Sequence, residues 1–380
     1  MVRMRILHVT SSLGGGGAEA TLRKLVLADT ENHHLIFSLT DGGEWVSDLV
    51  AANVEVLGGG EGKTIQSVVS SFFDLRRLVR AQSPDLIQTW MYHADLIGGL
   101  AARSVGEGRI SWNLRGTPPR LPGDRILTYL LVRLLALLSW VIPRTIVSCS
   151  ESGSRQHGRL GYDLRKIVVI PNGFDSVFWS APRPKSAPSC DPSPNEKPTV
   201  TIGMVARFHP KKNFPLFLEA MRNLTAKGHI VRAVVVGAGA TTSNPRFLKI
   251  VKDLNFPTHI LTAEGPSMDV RKVFSQLDLL VLPSRWGEGF PNVLAEAMLC
   301  GVPCITSNSG DSEKIVGSAG WVFHRSKAQM LELLLLQAMA EGPEGRAERG
   351  RAGRRHVSDL FTVDKMVAKY RKVFAETALA

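Results

Sequence analysis

Short apolar runs alternate with longer stretches of helical periodicity along the first half of the chain. Most of these runs are apolar at nearly every position, as strands buried on both faces are. A helical stretch such as Ser67–Gln82 lies between consecutive runs. The alternation predicts parallel βαβ units with right-handed crossovers. The predicted strands are Met4–Thr10, His34–Thr40, Val54–Leu57, Asp85–Trp90, Ile110–Leu114, Thr145–Ser148 and Lys166–Ile170.

The pattern stops at Ala181 and restarts at Thr199. Six prolines and several serines fill 181–198 without apolar periodicity, which is typical of a linker. The second half then repeats the strand and helix alternation, so we predict an α/β protein with two Rossmann-like domains. The predicted strands of the second half are Thr201–Ala206, Ala233–Val236, His259–Leu261, Leu279–Leu282 and Cys304–Thr306.

These patterns give four predicted segments. We expect a first domain over 1–180, the linker over 181–198 and a second domain over 199–355. The remaining residues, 356–380, contain an amphipathic helix at about Thr362–Glu376.

The composition supports a globular protein. The chain has 380 residues, of which 44% are hydrophobic and 21% charged, and this excludes disorder as the main state. The four cysteines show no C-x-x-C spacing, so we expect reduced thiols in a cytoplasmic protein rather than disulfides or a zinc site. The amino terminus is apolar for only a few residues, which favours a first strand over a signal peptide.

The net charge of +12 requires a surface or partner that tolerates it. Ile126–Ile142 is a strongly apolar run interrupted by Arg133, and six arginines but one acid lie between Arg109 and Arg144. Such a segment suits peripheral contact with an anionic membrane surface, at the inner face of the cytoplasmic membrane. A core helix with solvated arginines explains it equally well, and both interpretations stay open.

The segment Ser284–Glu296 carries the most specific chemistry. Glu288 lies in a glycine-flanked loop after the strand Leu279–Leu282, and Glu296 lies one turn into a helix that Asn292 can cap. Ligands of doubly wound sheets bind at the carboxyl ends of the strands. Ionised carboxylates offer several acceptor sites to a ligand rich in hydroxyl groups. Two solvated acids on an ordinary loop and helix are the alternative.

Two bases begin the second domain. Arg207 ends a strand and Lys212 follows five residues later, just before a helix. An arginine and a lysine at the edge of a parallel sheet can clamp a diphosphate, the first as a bidentate donor and the second as a point charge.

Glycine-rich turns follow other strands. Gly15, Gly16 and Gly17 follow the first strand and open a helix, where backbone amides favour anions. Gly237 and Gly265 end strands of the second domain in the same way.

The motif Glu288-x7-Glu296, followed by Ala297-Met298-x-x-Gly301-x-Pro303, resembles the signature of the retaining glycosyltransferases of family 4. The resemblance implies the GT-B type: two Rossmann-like domains whose parallel sheets face a cleft, with a C-terminal helix that crosses back to the first domain. It also implies that the substrate is a nucleotide diphosphate sugar. Glu288 would contact the donor sugar, and Glu296 would hold the ribose hydroxyls.

The resemblance also assigns roles to other residues. Arg207 and Lys212 match its diphosphate grip, Gly237 and Gly265 its nucleotide side, and Gly15–Gly17 its glycine-rich loop. His93, at the end of a strand, would lie near the sugar and the acceptor, and Arg115 is a weaker acceptor-site candidate. Three neighbours of the two acids complete the predicted substrate-binding set: Gly289, Phe290 and Asn292.

We therefore predict a retaining hexosyltransferase that moves a sugar from a nucleotide diphosphate sugar to a glycan or lipid-linked acceptor in surface polysaccharide biosynthesis. No Asp-x-Asp motif occurs, so we expect no metal or other cofactor, and we expect no nucleic-acid partner. Two alternatives stay open: a sugar-nucleotide epimerase of similar fold, and a non-enzymatic basic protein that binds membranes or nucleic acid.

Overall fold

The computed structural model describes residues 3–40, 42–58, 65–121, 125–179, 199–324 and 327–379. The chain divides into two compact units. Unit 1 comprises Met1–Gly173 and Val363–Ala380, and unit 2 comprises Phe174–Thr362. The unit boundaries therefore lie at 173 and 362, against the predicted domain ends at 180 and 355. The predicted linker, 181–198, lies outside the described residues.

The described part of unit 1 contains seven strands and seven α-helices. The strands are β1 (Arg5–Thr10), β2 (His33–Ser38), β3 (Glu55–Gly58), β4 (Leu86–Trp90), β5 (Ile110–Leu114), β6 (Thr145–Ser148) and β7 (Ile167–Val169). The helices up to the sixth are α1 (Gly17–Ala28), α2 (Val46–Ala51), α3 (Ile65–Gln82), α4 (Tyr92–Arg103), α5 (Ile126–Leu138) and α6 (Glu151–Arg159). In chain order α7 (Ser176–Trp179) follows, already in unit 2.

The seven strands form one parallel sheet in the order β3-β2-β1-β4-β5-β6-β7. The central strand β1 pairs with β2 on one side and with β4 on the other, so that Thr10 lies opposite both Ser38 and Trp90. The strand order therefore reverses beside β1. The loops after β1 and β4 leave the sheet at this switch point, where an open α/β sheet provides a ligand crevice.

Helices cover both faces of this sheet. Apolar residues of α3, α4 and α5 pack on one face, around Trp112 and Ile87. Apolar residues of α1 pack on the other face together with the chain's last helix, whose Tyr370 and Phe374 are fully buried. We expected a final helix at about Thr362–Glu376, and the helix spans Val363–Leu379.

Six strands occur among the described residues of unit 2. They are β8 (Val200–Val205), β9 (Val231–Val236), β10 (Leu261–Glu264), β11 (Leu279–Leu282), β12 (Cys304–Ser307) and β13 (Trp321–Phe323). Its further helices are α8 (Phe214–Ala226), α9 (Pro245–Asp253), α10 (Val270–Ser275), α11 (Asn292–Leu299), α12 (Ser312–Val316), α13 (Ala328–Ala340) and α14 (Gly342–Leu360). The final helix of the chain, Val363–Leu379, is α15 and belongs to unit 1.

The sheet of unit 2 repeats the topology of unit 1. Its strands are parallel in the order β10-β9-β8-β11-β12-β13, so the order reverses between β8 and β11. Helices α8, α9 and α13 share a buried core with one face of the sheet. Helix α14 packs along α11, where a Cβ at Gly353 would touch Met298.

Eleven of the twelve predicted strands occur with ends shifted by at most two residues. The prediction of a strand at His259–Leu261 is wrong for its first two residues, which lie in the 3₁₀ turn Thr258–Ile260, and β10 begins at Leu261. The strand β13 was not predicted, because three residues are too few for a periodic pattern. Helix α14 contains the very basic stretch 346–356. None of the helices in the described part of the chain combines the length and apolar character needed to cross a membrane.

A buried polar cluster fixes α15 to the rest of unit 1. Arg371 of α15 donates to Asp29 at 2.7 Å and to Glu31 at 2.6 Å. Burial opposes ionisation of Asp29, but hydrogen bonds from His34, Asn32 and Arg371 outweigh it, and the pKa of Asp29 lies far below its ordinary value. The Asp29 carboxylate is thus charged at neutral pH and depends on these donors.

We expect Arg371→Met to loosen α15, because Asp29 stays buried with one charged donor fewer. The local free energy of opening should fall by about 2 kcal/mol, which lowers the hydrogen-exchange protection of the α15 amides about 30-fold. Lys369→Met, at an exposed position of the same helix, is the matched control. Equal protection in the two variants would contradict this account of the helix.

Candidate active site

Two loops flank the switch point of unit 2. The first follows β8 and contains Arg207 and a short 3₁₀ turn, Pro210–Lys212, before α8 begins. The second follows β11 and contains Glu288 before α11 begins at Asn292. Because β8 and β11 are neighbours in the sheet, the two loops leave from adjacent strand ends.

The two loops are joined by an ion pair. Lys212 Nζ lies 2.5 Å from Glu288 Oε1, and both side chains are largely buried. The hydroxyl of Ser284 donates to the same carboxylate oxygen at 2.7 Å. The structure therefore brings together a predicted sugar-side acid and a predicted diphosphate-side base.

This environment keeps Glu288 ionised. Burial alone would raise the pKa of its carboxyl group. The charge of Lys212, together with the hydrogen bonds from Lys212 and Ser284, outweighs burial, and the pKa of Glu288 lies below its ordinary value. The site thus presents a buried carboxylate that is charged at neutral pH.

Further contacts hold the two loops in place. Asn213 adopts a left-handed conformation with φ of 60°, and its side-chain oxygen accepts a hydrogen bond from Arg285 Nε at 2.9 Å. The loop after β12 supports the other side, since Ser307 Oγ donates to the Ser284 carbonyl at 2.5 Å and the Asp311 amide donates to the Gly289 carbonyl at 2.9 Å. The sequence analysis assigned no role to these supporting side chains, although Asn in a junction between a turn and a helix signals a left-handed residue.

Arg207 is exposed at the end of β8 and makes no hydrogen bond or ion pair within the described residues. The turn after β9 lies directly against it. Gly237 has a φ of 149°, and a Cβ there would overlap the Ala206 carbonyl and approach the Arg207 amide. Gly237 is therefore required for the close approach of the two strand ends beside Arg207.

Helix α11 carries the second acid. Glu296 is half-buried on its first turns, as predicted. The prediction that Asn292 caps this helix is wrong: Pro291 occupies the N-cap position, Asn292 is the first helical residue and no side-chain cap bond forms. Gly265 follows the end of β10, whose Glu264 carbonyl accepts from the Gly237 amide at 3.1 Å.

Phe290 packs against other aromatic side chains of unit 2. Its side chain is buried, and its ring lies 6.2 Å from that of Phe174 and 5.2 Å from that of Phe361. These two partners also share a backbone hydrogen bond, from the Phe174 amide to the Phe361 carbonyl. The aromatic packing accounts for Phe290 without a ligand, so its substrate role stays a prediction.

In unit 1, the glycine-rich turn after β1 and the start of α4 lie at the switch point. His93 is the second residue of α4, and partial burial of its ring lowers its pKa below the ordinary value. The ring is therefore neutral at pH 7. Met91, two residues before His93, has a φ of 71°. This is a strained backbone conformation for a residue other than glycine. Strain of this kind concentrates at functional sites.

The glycine-rich turn is less suited to anions than we expected. Gly15, Gly16 and Gly17 are exposed, and Gly17 begins α1. A Cβ at Gly15 would clash with the carboxylate of Glu44, and a Cβ at Gly16 with that of Glu19. Two carboxylates beside the helix N-terminus disfavour a phosphate and suit a hydroxylated ligand.

Arg115 has structural partners in unit 1. Its guanidinium donates to the Tyr370 hydroxyl at 3.1 Å and to the Asn172 side chain. It also lies over the ring of Trp90, at 5.9 Å. These contacts link β5 to α15, so a role in acceptor binding stays a prediction. No group of His, Cys, Asp and Glu that could hold a metal ion occurs in the described part of the chain.

Comparison with known families and proteins indicates the class of protein. The family model described as glycosyl transferases group 1 matches residues 191–356, and the model of glycosyltransferase family 4 matches residues 15–178. The EpsF protein of Bacillus subtilis is 24% identical over 371 residues, which cover 91% of this chain and 89% of EpsF. A second relative, from Escherichia coli, is the UDP-Gal:alpha-D-GlcNAc-diphosphoundecaprenol alpha-1,3-galactosyltransferase. It is 25% identical over 250 residues, covering 65% of this chain and 64% of that one.

Solved structures agree on the fold. The crystal structure of Anabaena HepE with UDP-glucose aligns with a TM-score of 0.80 at 18% identity, covering 98% of this chain and all of that one. The lipopolysaccharide outer core galactosyltransferase WaaB aligns with a TM-score of 0.71 over 98% of this chain and 99% of that one, at 13% identity. The family models and the fold together define a glycosyltransferase of the GT-B type. The two models together match most of the sequence, each over less than half of it, and the chain is similar to the group 1 and family 4 glycosyltransferases. The prediction of a transferase is confirmed.

We expect Lys212→Met to destabilise unit 2 by about 3 kcal/mol at pH 7, because it leaves a buried carboxylate without its cation. Without Lys212, burial raises the pKa of Glu288 above its unfolded value, so the variant loses stability as the pH rises through the unfolded pKa. The difference from the parent protein in urea unfolding should therefore grow from pH 5 to pH 7.

Lys249→Met is the matched control, since Lys249 pairs with Asp253 on the surface at 2.9 Å. Surface pairs contribute between about 0 and 1 kcal/mol, so this variant should unfold almost as the parent does. A pH-independent difference for Lys212→Met would show that Glu288 does not depend on Lys212 for its charge.

Proposed function

We propose that this glycosyltransferase transfers a hexosyl group from a nucleotide diphosphate sugar to a glycan or lipid-linked acceptor, with retention of configuration at the anomeric carbon. We further propose that the product belongs to a surface polysaccharide. The names of relatives support this direction: one acts on a diphosphoundecaprenol-linked sugar, and another is a Vi polysaccharide biosynthesis protein of Salmonella typhi.

The observation that carries the proposal is the ion pair between Lys212 and Glu288 at the switch point of unit 2. A carboxylate and an ammonium group in contact match the two halves of a nucleotide diphosphate sugar: hydroxyl groups on the sugar and negative charge on the diphosphate. Arg207, exposed at the end of the adjacent strand, adds a planar donor for the same diphosphate.

Donor binding would redistribute the contacts of Lys212. Its ammonium group has three donors, so it can bond to a phosphate oxygen while one donor stays with Glu288. The free oxygen of Glu288 would then accept from sugar hydroxyls. Glu296 would hold the ribose hydroxyls, and the turns at Gly237 and Gly265 would leave room for the nucleoside.

The reaction would proceed on one face of the sugar. The bond from the anomeric carbon to the diphosphate oxygen breaks, and the acceptor hydroxyl oxygen bonds to the same face of that carbon. The acceptor proton passes to the departing phosphate oxygen. Arg207 and Lys212 would stabilise the negative charge that develops there, which is where electrostatic catalysis contributes most.

The remaining predicted residues take supporting roles in this proposal. Neutral His93 would hydrogen-bond to a sugar or acceptor hydroxyl, and Gly15, Gly16 and Gly17 would admit a hydroxylated ligand beside α1. Gly289, Phe290 and Asn292 would shape the loop around Glu288. We propose that no metal ion is required, because two basic side chains are available to neutralise the diphosphate.

Donor binding can be measured by thermal shift with a panel of UDP, GDP and ADP sugars. One nucleotide series should raise the melting temperature, and the rise should be the same in EDTA. Arg207→Ala should weaken binding of that donor about 10- to 100-fold, because it removes charge-assisted hydrogen bonds. Arg246→Ala, an exposed arginine of the same unit, should bind as the parent does. A shift that requires a divalent cation would refute the metal-free site.

The stereochemistry of the product tests the reaction itself. Proton NMR of the early product should show the same anomeric configuration as the donor, because bond breaking and bond formation share one face. The spectrum must be taken before sugar anomers equilibrate in solution. An inverted anomeric centre would exclude the same-face mechanism while leaving donor binding intact.

A further inference from the structure

Helix α5 exposes an apolar stripe on unit 1. Four leucines recur at helical spacing along one side of the helix: Leu127, Leu130, Leu134 and Leu137, here called the α5 stripe. Their side chains are 76%, 55%, 45% and 72% exposed. The opposite side of the helix supplies Val132, Leu135 and Ala136 to the core. One side of the helix therefore packs into the core, and a second apolar side remains exposed.

The exposed apolar surface continues past the end of α5. Trp140 is 53% exposed and Val141 is 64% exposed. The indole nitrogen of Trp140 donates to the Gly161 carbonyl at 3.0 Å, and the Arg165 guanidinium lies over its ring at 5.0 Å. A tryptophan with a satisfied nitrogen, an exposed ring and a nearby cation suits the boundary between water and lipid.

The surroundings of the stripe are basic. The sequence segment that contains the stripe, 115–166, has nine basic and three acidic side chains, and two of the nine, Arg115 and Arg144, contact α15. Arg133 lies within α5 and donates to the Leu160 carbonyl, and Arg125 is exposed at the N-cap position of the helix. Beside the start of α5 is an open groove lined by Pro118, Pro119, Arg120, Leu121, Tyr129, Gln156, Arg159 and Leu160. An apolar stripe bordered by cations is complementary to a surface with an apolar interior and negative charges at its boundary with water.

Single exposed leucines are ordinary, but four in one row with an adjacent tryptophan are not. A protein partner would have to supply both a matching apolar groove and acidic groups around it. A bilayer of anionic phospholipid supplies both without a specific shape. Helix α5 has 13 residues, so it is suited to lie in the interface rather than to cross the membrane.

We propose that the α5 stripe docks this protein onto an anionic phospholipid bilayer, with the leucines and Trp140 in the acyl region and the surrounding arginines at the level of the phosphates. Docking of this kind would bring the enzyme to the bilayer that holds a lipid-linked acceptor. The proposal rests on the proposed function only for this biological purpose. Docking itself requires no sugar chemistry.

The experiment is vesicle flotation of the full chain, without nucleotide sugar or acceptor. Vesicles of phosphatidylcholine alone are compared with vesicles that also contain phosphatidylglycerol, at low and high salt. The protein should float with the anionic vesicles, less with the neutral ones, and binding should fall as salt screens the arginines. Leu127→Gln/Leu134→Gln should reduce binding at least tenfold, because the variant removes two buried leucines from the docked state.

Matched controls separate the stripe from general surface effects. Leu333→Gln changes an equally exposed leucine on α13 and should bind as the parent does. Arg159→Gln should weaken binding about fivefold, the effect of one cation near an anionic surface. Arg246→Gln should have no effect. Equal melting temperatures of the variants would show that each is folded.

Three results would overturn the proposal. The parent protein could fail to float with anionic vesicles, or the double leucine variant could float as the parent does. The protein could also form a dimer that the leucine changes dissociate while no vesicle binding occurs, in which case a second copy covers the stripe. None of these results bears on donor binding or product configuration, so the proposed transferase reaction stands or falls separately.

Discussion

The reversal of strand order in each parallel sheet is the constraint on which the rest of the structure depends. Strands added on either side of a central strand require crossovers in opposite directions, so the loops from the two central strands diverge. In unit 2 this occurs between β8 and β11, and the divergence is spanned by Lys212 and Glu288. Unit 1 has the same reversal between β1 and β4 but places glycines, Glu19 and His93 there. One topology thus provides two sites of different chemistry.

The ion pair also explains how the buried carboxyl group of Glu288 stays ionised. Without Lys212, burial would favour the protonated form of Glu288, which could no longer accept several hydroxyl groups. Lys212 keeps the acid charged, and Ser284 orients the oxygen that both contact. Arg207 has no internal partner among the described residues, so a diphosphate can bind it without breaking an existing contact. In the proposed reaction the two bases would therefore differ in role: Arg207 would attract the ligand, while Lys212 would couple the diphosphate to the acid that holds the sugar.

The sequence predicts secondary-structure elements and candidate site residues better than it predicts which side chains contact each other. The strand β11 is apolar throughout and was predicted with its observed ends, and the spacing of Glu288 and Glu296 indicated the family. Lys212 and Glu288 are 76 residues apart, and only the order of the strands places them together. The glycine-rich turn was expected to favour anions because its own backbone does. That expectation omitted Glu44, which follows the second strand and reaches the turn from another loop.

Net charge alone would not have identified the α5 surface. Helix α14 is also rich in arginine, yet Arg346 is buried there and donates to the Met339 carbonyl. In the same helix, Arg349 pairs with Glu341 and lies 4.2 Å from the ring of Trp321. These two guanidinium groups form contacts within their own unit, so fewer of their hydrogen-bond donors are available to a partner. Around α5, Arg133 and Arg165 also have internal partners, but there the cations border exposed leucines. This combination of charge and uncovered apolar surface, rather than the charge of +12, supports the proposed docking face.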